Sequence, residues 1–205
     1  MLICVTNQKL CNDDFLNRIN LIAQGKPQAI MLREKDLSMT EYEKLAIKVN
    51  EICRNNQVNL IINQKIEITI KLKLKNIQLC MDDLRKSKKE ISEFEQIGAS
   101  IHSVNDAKEA EKLGATYLIA GHIFPTDCKK GAAPRGLSFL KEVCDSVKIP
   151  VFAIGGITKD KLENVLNTGA KGVCIMSEAM TCLNPIELAG EYRILKKKLI
   201  LETKN

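Results

Sequence analysis

The chain has 205 residues, 45% of them hydrophobic and 27% charged, the balance of an ordinary folded protein and not of a disordered one. That length allows one domain, or two very small ones. A net charge of +6, from 31 basic and 25 acidic residues, suits an anionic ligand, but an aromatic content of 4% with no tryptophan supplies no stacking platform, so no nucleic-acid partner is expected.

The N-terminus, MLICVTNQKLCNDD, lacks the basic start of a secretory signal, and no apolar run reaches the ~18 residues of a membrane helix. A cytoplasmic protein without a membrane partner is expected. Its eight cysteines (4, 11, 53, 80, 128, 144, 174 and 182) are scattered and form no CxxC, and several lie inside apolar runs, where a free thiol acts as a small hydrophobe.

The first element, LICVT (2–6), is a short β-branched apolar run, and seven more follow: AIMLR (29–33), LIIN (60–63), NIQLC (76–80), GASIH (98–102), TYLIAG (116–121), VFAIGG (151–156) and GVCIM (172–176). Near-continuous apolar character marks strands buried on both faces. Amphipathic segments lie between them. In TEYEKLAIKVNEIC, Tyr42, Leu45, Val49 and Ile52 share one helical face, and Thr40 with Glu43 has capping-box spacing. Ser103 with Asp106 is a weaker cap, and Asn184-Pro185 with Glu187 opens a last helix. Alternation of eight strands with helices predicts a parallel sheet with covering helices. A single (β/α)8 TIM barrel over 1–205 fits best, near the lower size limit of that fold. An open doubly wound sheet is the alternative, weakened because no GxGxxG follows the first strand.

In such barrels the chemistry sits at the C-terminal ends of the strands. There the sequence places Arg33, Glu34 and Lys35; Asn63; Asp82 and Asp83; Ser100 and His102; Gly121 and His122; Gly155 and Gly156; and Met176 and Ser177. The polar stretch TDCKKGAAPRG (126–136) adds Thr126, Asp127, Cys128 and Lys129 as a candidate substrate-contacting lid. Gly155-Gly156 and Met176-Ser177 follow strands seven and eight, where this fold commonly holds phosphate by backbone N–H groups. Arg33 and Lys35 suit a phosphate or carboxylate. Asp82-Asp83 either holds Mg²⁺ with a diphosphate or caps the next helix. Both histidines of the chain stand at strand ends, and histidine is the side chain matched to proton transfer near neutral pH.

The motifs LREKD (32–36), IGASIHS (97–103), GHIFPTDCKKG (121–131), PVFAIGGI (150–157) and GVCIMSEAM (172–180), in this order along essentially the whole chain, resemble the thiamine phosphate synthase superfamily. The resemblance implies a compact barrel acting on a small phosphorylated thiazole. The superfamily holds two chemistries. The synthase joins a pyrimidine methyl diphosphate to a thiazole phosphate with Mg²⁺ and expels pyrophosphate. The TenI branch isomerises a carboxylated thiazole phosphate to its aromatic tautomer by acid–base chemistry, with no cofactor.

Against the synthase pattern the sequence is mixed. Its QLREK block reads Met31-Leu32-Arg33-Glu34-Lys35, and its Asn-Asp pair reads Asn63-Gln64, so Gln64 stands where a Mg²⁺ carboxylate is expected, while Asp83 matches the other. Ser100 and Lys129 are kept; His122 replaces a proline, and Asp127-Cys128 alter a Thr-x-Thr. GHIFPTDCKKG is similar to the tautomerase loop, whose histidine is its acid–base group. The resemblance therefore implies a thiazole tautomerase, an isomerase without cofactor or metal. His122 would be its catalytic group, and Arg33, Lys35, Asn63, Ser100, His102, Thr126, Asp127, Cys128, Lys129, Gly155, Gly156, Met176 and Ser177 its substrate contacts. The alternatives are the Mg²⁺-dependent synthase, with Asp83 on the metal, and a non-catalytic regulatory barrel. A homo-oligomer is compatible with each.

Overall fold

The computed structural model describes residues 1–87, 89–129 and 131–202, without the side chains of 129 and 198–202. Eight strands follow one another in chain order around a closed barrel: β1 (Leu2–Val5), β2 (Ala29–Leu32), β3 (Asn59–Asn63), β4 (Asn76–Cys80), β5 (Gln96–Ile101), β6 (Tyr117–Gly121), β7 (Val151–Ile154) and β8 (Gly172–Ile175). The barrel expectation holds and the open sheet is excluded. The helices are α1 (Phe15–Gln24), α2 (Met39–Asn55), α3 (Ile66–Lys71), α4 (Met81–Lys86), α5 (Val104–Lys112), α6 (Gly136–Ser146), α7 (Leu162–Leu166), α8 (Ser177–Thr181) and α9 (Pro185–Glu202). Among the described residues no helix is long and apolar enough to cross a membrane.

The chain packs as two compact halves, residues 1–76 with 175–205, and residues 77–174. In the first, β1 pairs with β2 (Cys4 opposite Ile30) and β2 with β3 (Met31 opposite Ile61), both parallel. Every residue of β1 and β2 is buried, as the apolar runs required. Arg18 of α1, 7% exposed, donates to the Cys182 carbonyl at 2.6 Å and to Asp13 at 2.6 Å, tying the end of α8 to the start of α1. That guanidinium holds the Asp13 carboxyl down to about 2.

The cap of α2 differs from the spacing argument. Ser38, not Thr40, is the N-cap: its hydroxyl accepts from Glu41 N–H and the Glu41 carboxylate accepts from Ser38 N–H. The buried face is correspondingly Tyr42, Ala46, Val49 and Cys53; Leu45 and Ile52 are only half-buried. Two Ser/Thr-x-x-Glu frames overlap here. The one that starts earlier wins because it lets Tyr42 reach the barrel, where its hydroxyl donates to the Leu32 carbonyl at 2.6 Å.

In the second half β5 pairs with β6 (Gly98 opposite Tyr117), β6 with β7 (Ile119 opposite Phe152) and β7 with β8 (Ala153 opposite Val173). The Ser103 cap of α5 forms as expected, its hydroxyl accepting from Asp106 N–H, while Asp106 itself accepts from His102 N–H. At α4 neither aspartate caps. The Cys80 thiol takes the Asp83 N–H, and Asp82 is drawn into an ion pair with Arg85.

Ser38→Ala should lower stability by about 1 kcal/mol, and the melting temperature by roughly 2–4 °C for a chain of this size. Thr40→Ala, exposed and uninvolved in the cap, should leave the melt unchanged; differential scanning calorimetry on both variants checks the frame.

Candidate functional site

In the first half the ends of β2 and β3 enclose a hollow of about 240 Å³ lined by Glu34, Lys35, Asn63, Gln64 and Lys65. Tyr42 braces it from below: burial pushes its phenol up, against the lowering effect of a hydrogen bond from the Asn63 backbone. The one phenol therefore joins the ends of both strands. Asn63 donates to the Gln64 side chain at 3.2 Å, and Gln64 sits at φ 64, a left-handed conformation uncommon for a residue with a Cβ that Lys26, Gln57 and Lys73 also adopt. Lys65 lies over the Tyr42 ring at 5.9 Å. Arg33 is half-buried, with a guanidinium nitrogen 3.9 Å from the Met176 sulfur. Glu34, by contrast, is 7% exposed, and its carboxylate accepts from Thr6 Oγ1 at 2.6 Å and Gln8 N–H at 2.9 Å. So the structure brings Lys35 and Asn63 together around one hollow and sets Arg33 beside Met176. Sequence reading passed over Thr6 and Lys65; it placed Glu34 at the end of β2 without a role, and only the fold shows it buried.

In the second half Ser100 accepts from Gln78 Nε2 at 2.9 Å. Gln78 and Tyr117 are 1% and 5% exposed, yet Gln78 Oε1 and the Tyr117 hydroxyl have no hydrogen-bond partner. Both crowd the Cα of Gly98, where an added Cβ would overlap them. Buried polar atoms left unpaired are costly unless a ligand or water completes them. Sequence reading missed this pair because a lone glutamine or tyrosine inside a strand carries no motif.

His122 is 6% exposed, and its Nε2 lies 3.2 Å from the Ala132 carbonyl. A carbonyl only accepts, so that nitrogen carries the proton. His122 O and Ile123 O accept from Arg135 and Gly136 N–H, so the base of the 126–136 loop is sewn shut around this residue. His102 Nδ1 lies 2.8 Å from the Gly121 carbonyl. Gly155 and Gly156 have φ 101 and 62. An added Cβ at Gly155 would overlap His122, and one at Gly156 the Pro125 carbonyl. The loops after β6 and β7 are therefore in direct contact, fastened by Lys161, which donates to Gly156 O at 2.9 Å and lies 5.0 Å over the Phe124 ring. Thr126 accepts from Cys128 N–H at 3.4 Å, and Asp127 opens the 3-10 turn Asp127–Lys129. The side chain of Lys129 lies outside the described residues. Ser177 opens α8.

The family model described as thiamine monophosphate synthase matches residues 2–179. The chain belongs to the thiamine monophosphate synthase family. It is 38% identical over 176 residues to the thiamine-phosphate synthase of Fusobacterium nucleatum, covering 84% of this chain and 85% of that one. It is 36% identical to the thiamine-phosphate synthase of Pyrococcus furiosus over 86% of each chain. The solved thiamine phosphate pyrophosphorylase from Pyrococcus furiosus superposes with a TM-score of 0.86 at 30% identity, over 97% of this chain and 96% of that one. A 3-hexulose-6-phosphate synthase (TM-score 0.73, 16% identity, 95% and 99% covered) shares the fold alone.

These findings overturn the tautomerase expectation and the isomerase class with it. Relatives at 33–38% identity carry the synthase name, and the TenI branch receives no specific support. The loop similarity rested on a histidine after Gly121, whose Nε2 lies 3.2 Å from the Ala132 carbonyl.

His122→Ala should lower stability by roughly 2 kcal/mol, from a cavity and a lost hydrogen bond. Limited proteolysis should then cut between 126 and 136 faster than in the unaltered protein.

Proposed function

We propose that the protein is a thiamine-phosphate synthase, a transferase that joins a pyrimidine methyl diphosphate to a thiazole phosphate and releases pyrophosphate, with the whole chain acting as one catalytic domain. The observation that carries this reading is the 38% identity over 84% of the chain to a named synthase. The eight free cysteines support a reducing, cytoplasmic setting.

The reaction breaks the bond between the pyrimidine methylene carbon and the diphosphate oxygen, with the electron pair leaving on pyrophosphate. A bond then forms from the thiazole nitrogen to that carbon. No proton need move, so a base is not the main requirement; stabilising charge on the leaving group is. Arg33 and Lys35, which form no ion pair among the described residues, suit the diphosphate. Gln78 Oε1 and the Tyr117 hydroxyl suit a nitrogen heterocycle, whose ring nitrogens accept and whose substituents donate. Ser100, held by Gln78, belongs to the same group. Gly155 and Gly156 leave room for close backbone approach by the thiazole phosphate, with Met176 and Ser177 as further candidates. Asn63, Thr126, Asp127, Cys128 and Lys129 keep the substrate-contact roles assigned from the motifs, and His102 a bracing one.

The relatives' reaction implies Mg²⁺. An ion that arrives on a diphosphate is completed by one or two protein carboxylates, phosphate oxygens and water. Asp83, half-buried in the first turn of α4, supplies one carboxylate, and Gln64 can add only an amide oxygen. Among the described residues no three His, Cys, Asp or Glu side chains cluster to hold an ion unaided. A single carboxylate of this kind fits a metal brought by substrate. When bound, the ion would neutralise charge developing on the leaving diphosphate.

Incubation with both substrates and Mg²⁺ should release pyrophosphate with formation of thiamine phosphate. No product from either the coupling assay or its reverse would refute the reading. Gln64→Asp should lower the Mg²⁺ concentration needed for half-maximal rate, and calorimetry without substrate should show no micromolar Mg²⁺ site in the unaltered protein.

A further inference from the structure

Arg33 and Lys35 flank a buried carboxylate, Glu34. It pairs with neither. Both of its oxygens are taken by neutral donors on the segment after β1: Thr6 Oγ1 at 2.6 Å and Gln8 N–H at 2.9 Å. The Thr6 hydroxyl, itself 0% exposed, then accepts from the Arg33 N–H at 3.0 Å, and Thr6 N–H donates to the Met31 carbonyl at 2.9 Å. The result is a ring of hydrogen bonds running Arg33 N–H, Thr6 hydroxyl, Glu34 carboxylate. It locks the backbone on both sides of Arg33 to the end of β1. Outside it, Lys9 and Asp36 form an exposed ion pair at 2.7 Å across the same two loops, of the kind worth little by itself.

We infer that Thr6 and Glu34 are positioning residues that hold Arg33 and Lys35 for a diphosphate group while neutralising neither. The inference deepens the transferase reading and rests on it for the identity of the ligand. A buried carboxylate costs desolvation; here neutral donors offset that cost, so the two cations keep their full charge for the ligand. The hydroxyl is required because a single atom must both donate to the carboxylate and accept from the backbone, which valine, of the same shape, cannot do.

Substitution at Glu34 separates this role from that of a bystander charge. Removing a negative charge beside two cations should tighten any polyanion by simple electrostatics. Loss of a positioning residue should weaken it. Inorganic pyrophosphate is titrated calorimetrically into the unaltered protein and into Thr6→Val, Thr6→Ser and Glu34→Gln, and steady-state constants for both substrates are measured on the same preparations. The expected result is a Kd for pyrophosphate raised about tenfold in Thr6→Val and Glu34→Gln, the scale of a lost hydrogen bond to a charged group. KM for the diphosphate substrate should follow and KM for the thiazole phosphate should not. Thr6→Ser should restore binding to near the original value.

Unchanged or tighter pyrophosphate binding in Glu34→Gln overturns the inference, as does failure of Thr6→Ser to rescue. If Thr6→Val does not fold, Glu34→Gln decides alone; if neither folds, the ring is a stability element and the inference falls. A protein that couples no substrates but shows the pyrophosphate pattern would refute the transferase reading and leave the positioning roles standing.

Discussion

Burial of the barrel strands on both faces is the constraint from which the rest follows. A side chain on such a strand points either into the barrel or into the helix layer, and neither place offers water. All four residues of β1 and of β2 are buried, and polar character begins only where the strands stop, at Thr6 and at Arg33. The buried polar side chains of the molecule include Thr6, Glu34, Gln78 and His122. Each stands on a strand or within two residues of a strand's C-terminal end, and each has to find a partner there or wait for a ligand.

Those terms sort the charged and polar groups into two kinds. Glu34 and His122 spend their hydrogen bonds inside the protein, on Thr6 and Gln8 in one case and on Ala132 in the other. Gln78 Oε1 and the Tyr117 hydroxyl spend none, and Arg33 and Lys35 keep their charge. A group already satisfied is suited to hold shape; an unsatisfied one is suited to bind.

The two glycines after β7 show how backbone freedom serves the same end. Gly155 and Gly156 adopt φ values that side chains rarely tolerate, and each packs against the loop after β6 where a Cβ would collide. Close loop-to-loop contact and close approach of backbone N–H groups to an oxyanion require the same absence of a side chain. The GG pair is therefore a turn whose lack of side chains lets the loops after β6 and β7 touch.

The sequence by itself determined the eight strands, their parallel order and the barrel, because strands buried on both faces must be apolar throughout and that pattern survives without any tertiary information. It also determined which polar residues stand at the strand ends, Arg33, Lys35, Asn63, Asp83, Ser100 and His122 among them. The Ser103 cap was legible; the α2 frame was not, since Ser38-Glu41 and Thr40-Glu43 are equivalent as spacings and only the reach of Tyr42 to the Leu32 carbonyl separates them. The fates of the polar residues were decided by the fold alone. A histidine after a glycine reads the same whether its ring faces a substrate or the Ala132 carbonyl, and a glutamate between two cations gives no sign that Thr6, 28 positions away, is its partner. Hydrogen bonds across such distances in the chain leave no trace in local periodicity, which is why chemistry that depends on them is visible only in the folded molecule.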